Sequence, residues 1–188
     1  MKSLSEIDVM ENYKKMVEAA FKEKADFYIF NSTKEHAEII LKNIIESAET
    51  EILFFTGCDE SFFSKDNGIV AALVKKSKKV KVKLIQDGDT TEGFHKELQA
   101  AGNNLQLYRL ENKFDSVDLG TLIPRTGYDK VKHFMVADGH AFRAEIPHKP
   151  GESIVQAIAS PNNPNVAKPL AKLFDFLITE QHAIPLPA

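Results

Sequence analysis

Val131-Lys132-His133-Phe134-Met135-Val136-Ala137-Asp138-Gly139 decides how this chain is read. Its centre is an unbroken apolar run of strand length, and Asp-Gly is a turn pair. Side chains alternate along a strand, so Val131, His133, Met135 and Ala137 should share one face and Lys132 the other. Two ionisable groups, His133 and Asp138, therefore stand out as candidates for chemistry. Each also has an ordinary reading: His133 as a pocket or interface histidine, and Asp138 as a turn residue.

Working outward, the first 25 residues read as a helical extension, with Ile7, Met10, Tyr13, Val17 and Phe21 at helical spacing. Phe27-Tyr28-Ile29-Phe30 predicts a strand, and Ser32-Thr33-Lys34-Glu35 has capping-box spacing. The next helix carries an apolar stripe of Ala37, Ile40, Leu41, Ile44, Ile45 and Ala48. Glu51 to Gly57 predicts a strand, Gly68 to Lys76 a helix, and Val80 to Gln86 a strand stopped by Asp87-Gly88. Phe94 to Ala101 reads as a helix and Leu105 to Leu110 as a strand. Residues 111–130 are polar and irregular. Phe142 to Ile146 and Ser153 to Ile158 read as further strands, before an amphipathic helix through Leu170, Leu173, Phe174 and Leu177. Alternation of this kind predicts an α/β fold, a mixed β-sheet flanked by helices on both faces, in one domain spanning 1–188.

Composition narrows the function classes. Hydrophobic residues at 43% and charged residues at 27% are ordinary for a globular chain. A net charge of −3 weighs against a generic nucleic-acid binder. The lone cysteine, Cys58, allows no intrachain disulfide and suits a reducing compartment, so a cytoplasmic setting is expected. No signal-peptide segment opens the chain, and no apolar run has membrane-spanning length. No cofactor and no metal are expected.

The signature stretch resembles the strand of the phospholipase D superfamily, His-x-Lys-x-x-x-x-Asp followed by Gly. Val80 to Gly88 and Leu98-Gln99-Ala100-Ala101-Gly102 resemble flanking segments of that family, and the order of elements from Phe27 onward is similar to one half of such an enzyme. The resemblance implies metal-free phosphodiester chemistry by two facing copies of the signature. One His attacks phosphorus and the other protonates the leaving oxygen, Lys holds phosphoryl oxygens, and Asp touches substrate less directly. A chain with one copy would have to dimerise. Here Val131 stands at the His position and His133 at the Lys position. Phe142-Arg143-Ala144-Glu145 replaces the small polar pair usual after the strand. The pattern is that of a degenerate member.

Other residues complete the candidate set. Arg143 and Glu145, two apart on one strand, would bind an anionic ligand, pair with each other, or pair with a partner subunit. Lys75, Lys76, Lys78, Lys79, Lys81 and Lys83 put six lysines into nine residues. They offer a phosphate or nucleic-acid stripe in which Lys79, Lys81 and Lys83 lead, or else a helix end, a turn and a protected strand face or edge. Asp87, Asp89 and Glu92 read as a solvated loop, since they lack calcium-loop spacing. Cys58 beside Asp59 and Glu60 reads as unreactive. His36, His95, His140, His148 and His182 read as surface or helix residues. The favoured function is a non-catalytic binding or regulatory module that self-associates. The alternative is a divergent, metal-independent, homodimeric phosphodiesterase or nuclease using His133, with Asp138 and Arg143 beside the phosphate.

Overall fold

Helices form where the sequence repeats apolar residues at three- and four-residue spacing, and strands form where it runs apolar between turns. The computed structural model describes residues 4–57, 68–87, 98, 104–110, 117–118, 130–146, 156–180 and 183–186. In chain order they form α1 (Leu4–Lys22), β1 (Ile29–Asn31), α2 (Lys34–Ser47), β2 (Glu51–Gly57), α3 (Ile69–Ser77), β3 (Lys81–Asp87) and β4 (Leu105–Leu110). There follow β5 (Val117–Asp118), β6 (Lys130–Val131), β7 (Phe134–Ala137), β8 (Ala141–Glu145), β9 (Ala157–Ser160), α4 (Pro164–Thr179) and β10 (Ala183–Pro185). Among these residues no helix is long and apolar enough to cross a membrane.

One mixed sheet of eight strands runs in the order β1-β9-β8-β7-β2-β3-β4-β10, and β5 and β6 pair separately. β2, β3 and β4 are parallel neighbours, whereas β7, β8, β9 and β1 pair antiparallel in turn. The antiparallel β2–β7 pair, Phe55 opposite Phe134 and Ile52 opposite Ala137, is the seam between the two halves. α1, α2 and α3 cover one face and α4 the other, the two-sided arrangement expected of this α/β class.

Each strand feeds both cores by alternation. Ile52, Phe54, Val82, Leu84, Met135 and Ala137 meet the stripe of α2, and Leu53, Phe55, Ile85, Phe134 and Val136 meet α4. On the α4 side Phe55, Phe134, Phe142 and Phe174 are fully buried. Phe134 lies edge-on to Phe55 at 5.7 Å and to Phe174 at 6.5 Å. Burying such a ring stabilises by about 2–3 kcal/mol.

Several expected boundaries move. The first strand is Ile29–Asn31, because Ile29 and Asn31 are buried while Phe27 and Phe30 remain about half exposed at the sheet edge. The cap of α2 is Thr33, whose hydroxyl accepts from the His36 amide at 3.2 Å, so the Ser32–Glu35 box is not the one used. β3 is an interior strand, so Lys81 and Lys83 guard no sheet edge; Lys81 stands on an exposed strand face and Lys83 is half-buried. β10 had no counterpart in the sequence reading. The predicted helix at Phe94–Ala101 lies outside the described residues except for Leu98, which is buried.

α1 closes with a left-handed residue. Ala25 donates to the Ala20 carbonyl at 3.0 Å and Lys24 to Phe21 at 3.2 Å, with Lys24 at φ 48°. Glycine carries this conformation without the Cβ penalty that lysine bears. The Lys24–Glu49 ion pair, 3.7 Å long with both side chains 75% exposed, offers little in return. Lys24→Gly is expected to raise stability by about 0.5–1 kcal/mol in urea unfolding. A loss of stability would contradict this account of the helix end.

Candidate functional site

The carboxyl ends of β2, β3 and β8 meet at one edge of the sheet, where open α/β sheets place their ligands. The signature strand arrives there broken. Lys132 donates its amide to the Glu145 carbonyl at 2.9 Å, and Glu145 donates to the His133 carbonyl at 2.7 Å. Two residues of one strand thus face one residue of the next, a β-bulge. The alternation expected from Val131 to Ala137 does not carry through it. The His133 ring lies edge-on to Phe55 at 5.5 Å, on the side of the α4 core, and not with Met135 and Ala137.

His133 sits between two carboxylates. Its Nδ1 is 3.4 Å from Glu145 Oε1 and its Nε2 is 3.7 Å from Asp87 Oδ2. The side chains are 14%, 13% and 4% exposed for His133, Glu145 and Asp87. Gly57 supplies the space: a Cβ there would stand 2.7 Å from His133 Cε1, so any side chain at this position would force the ring to shift. Burial disfavours the charged ring, but Asp87 and Glu145 outweigh it and hold the ring above the ordinary histidine value, while Lys132 works the other way.

Arg143 extends the network toward β1. It is buried, its Nη1 lies 3.4 Å from Glu145 Oε2, and its Nε donates to Asn31 Oδ1 at 3.3 Å. Asn31 Nδ2 in turn donates to the Ala157 carbonyl at 3.2 Å. Burial lowers the guanidinium's proton affinity, and Glu145 and Tyr13 oppose it. Tyr13 of α1 has a buried hydroxyl with no hydrogen-bond partner among the described residues, and burial pushes it up to about 12 against the pull of Arg143. Its ring stacks on His36 at 3.9 Å. Arg143 and Glu145 lie within ion-pair distance of each other, one of the three arrangements the sequence leaves open for them.

Asp138 is at the opposite edge. β7 spans four residues, which sets Asp138 about 13 Å from the bulge. Asp138 (φ 53°) and Gly139 (φ 66°) are the central residues of the β7–β8 turn, closed by the His140 amide to the Ala137 carbonyl at 3.0 Å. That is the turn type for which Asp-Gly is favoured. The carboxylate accepts from the amides of Glu49, Thr50 and Glu51 at 2.7, 2.8 and 2.9 Å and from the Thr50 hydroxyl at 2.6 Å. It clamps the start of β2 and is too far from His133 to share a phosphate with it. A cleft of about 380 Å³ lies beside this clamp, lined among others by Lys24, Glu49, His140 and Asn162.

The lysine run splits. Lys76 donates to the Glu46 carbonyl at 2.8 Å. Lys81 and Lys83 lie 3.7 and 3.6 Å from Glu51, and Lys83 also lies 4.0 Å from Asp175. Lys79 is exposed in the turn after α3. Among the described residues no three His, Cys, Asp or Glu side chains are grouped to hold a metal. Asp87 and Glu145 face opposite ring nitrogens and do not converge on one point. Cys58, Asp89, Glu92, His95, His148 and His182 lie outside the described residues.

The sequence reading missed Asp87, taken for part of a solvated loop, and the role of Gly57, taken only as a strand terminator. Both follow apolar strands that lie side by side in parallel, and the rule placing sites at carboxyl ends was the signal that pointed to them.

Asp138 sets an acid limit on the fold. Burial raises its pKa, but the Thr50 hydroxyl and the Glu51, Glu49 and Thr50 amides more than compensate, so the carboxyl lies below its ordinary value of 3.8. Its stabilisation is complete above that value and is lost as pH falls through the depressed folded pKa. Asp138→Ala leaves three amides without their acceptor and is expected to cost about 2–4 kcal/mol at neutral pH. The deficit should shrink in strong acid, as read by chemical denaturation; a cost below about 1 kcal/mol would remove the clamp from the account.

No family model matches the chain, and no curated protein does. Solved structures do. A phospholipase D family member, Nuc from Salmonella typhimurium, superposes with a TM-score of 0.59 at 16% identity, over 86% of this chain and 100% of that one. The archaeal chromatin protein TrmBL2, described as showing a novel mode of DNA binding, superposes with a TM-score of 0.58 at 13% identity. That match takes in 97% of this chain but 64% of TrmBL2, so this chain spans just under two thirds of that protein's length. At such identities the likeness speaks for the fold: this chain has the fold of the phospholipase D superfamily.

Proposed function

We propose that this chain is a phospholipase D-like domain that has left phosphodiester chemistry and works as a binding or regulatory module. The observation that carries the reading is the placement of His133. The ring at the signature-lysine position is held between Asp87 and Glu145, with Arg143 behind Glu145. A nucleophile needs a lone pair aimed at phosphorus, and a phosphate cradle needs net positive charge. Here the ring nitrogens face anions, and Val131 supplies no nucleophile. The ion pairs of Lys81 and Lys83 with Glu51, and of Lys83 with Asp175, offset part of the positive charge a lysine stripe would offer to nucleic acid. That a chromatin protein of this fold is described by its DNA binding fits a binding role in general terms.

In this reading the chain is one domain that self-associates in the cytoplasm; the single signature copy and the lone cysteine support these two points. The rival is a homodimeric phosphodiesterase in which each chain supplies His133. One preparation tests both, by sedimentation equilibrium and by hydrolysis of a chromogenic phosphodiester in chelator. A dimer without turnover is expected. Turnover that His133→Ala abolishes would overturn the non-catalytic reading, and a strict monomer would remove both self-association and the two-histidine site.

A further inference from the structure

The carboxyl edge holds a titratable ring that the proposed function does not use. Each nitrogen of a neutral imidazole is either a donor or a lone pair. Each ring nitrogen of His133 faces a carboxyl group: Nδ1 is 3.4 Å from Glu145, within hydrogen-bond length, and Nε2 is 3.7 Å from Asp87, an ion-pair distance at which the buried Nε2 has no hydrogen bond among the described residues. Whichever tautomer the neutral ring adopts, it points one lone pair at an anion. Only the doubly protonated ring can donate to both.

The surroundings leave few ways to relieve that conflict. From β2 the ring meets Gly57 and Phe55, neither of them ionisable. From β3 it meets Asp87, and from β8 Glu145, which also contacts Arg143. On its own strand Lys132 is the one other charge acting on it among the described residues. The three residues joined by the ring stand at the end of β3, in the bulge before β7 and at the end of β8. From these strand ends the chain continues into residues 88–97 and 147–155.

We propose that His133 is a proton-operated latch: the imidazolium ties the ends of β3 and β8 across the bulge, and loss of its proton unties them. The ring's proton affinity is raised in the fold, so the stabilisation is complete below 6.5, the ordinary histidine value, and is lost as pH rises through the higher folded value. The latch would make the shape of this edge, and whatever binds there, respond to pH above 6.5. It rests on the non-catalytic reading, since a ring protonated on both nitrogens has no lone pair with which to attack phosphorus.

Ring-¹⁵N NMR of the full chain tests it, with the six histidines separated by a His133→Gln spectrum. His133 is expected to carry protons on both nitrogens at low pH and to titrate above 6.5. Amide protection at Lys132 and Glu145, whose bonds close the bulge, should fall over the same interval, tenfold for each unit by which the midpoint exceeds 6.5. Asp87→Asn and Glu145→Gln should each lower the midpoint. His133→Lys, with a fixed charge in the same seat, should keep its protection throughout. A midpoint at or below 6.5, or protection indifferent to the titration, overturns the latch. The wild-type titration decides the matter if the variants do not fold.

Discussion

The seam between β2 and β7 is the constraint on which the sheet depends. It joins a parallel half, β2-β3-β4, to an antiparallel half, β7-β8-β9-β1, and no other strand pair connects them among the described residues. The seam is fastened at both ends by the same nine residues. At the amino edge Asp138 takes three amides and a hydroxyl from Glu49, Thr50 and Glu51. At the carboxyl edge His133 lies against Gly57 and between Asp87 and Glu145. Between them Phe134, Met135, Val136 and Ala137 are all buried, alternately in the two cores. The stretch that resembles a catalytic signature is, in this molecule, the part that holds the two halves of the sheet in register.

Much of this architecture could be read from the residues, and the reasons are local. Glu51–Gly57 and Leu105–Leu110 are apolar runs bounded by turn residues, and they form strands with the expected limits. The stripe from Ala37 to Ile45 has no rival interpretation and buries as a helix face. Asp138-Gly139 announces a tight turn because few other pairs accept two positive φ angles in succession.

The rest depended on partners distant in sequence. The bulge at Lys132–His133 is set by how Glu145 pairs, thirteen and twelve residues on, and no pattern within the strand reveals it. Asp87 looks like a turn residue until β2 is laid beside β3 and His133 is brought against both. Lys81 and Lys83 both look like solvent-facing charges; Lys81 is exposed, while Lys83 is half-buried, and Glu51 and Asp175 approach from other elements to meet them. The Phe27–Phe30 run misleads because an edge strand leaves aromatics exposed and buries Asn31 instead.

The fold is like that of phospholipase D, and at the position of the signature lysine His133 lies within an internal charge network of Asp87, Glu145 and Arg143. The central claim is that His133 serves that network and not a phosphate. A crystal structure of the protein grown with tungstate, an oxyanion mimic of phosphate, tests it most directly. The account predicts a bulge at Lys132–His133, the ring held between Asp87 and Glu145, and no oxyanion in contact with it. A tungstate bound to His133, with the ring swung away from Asp87, would contradict it.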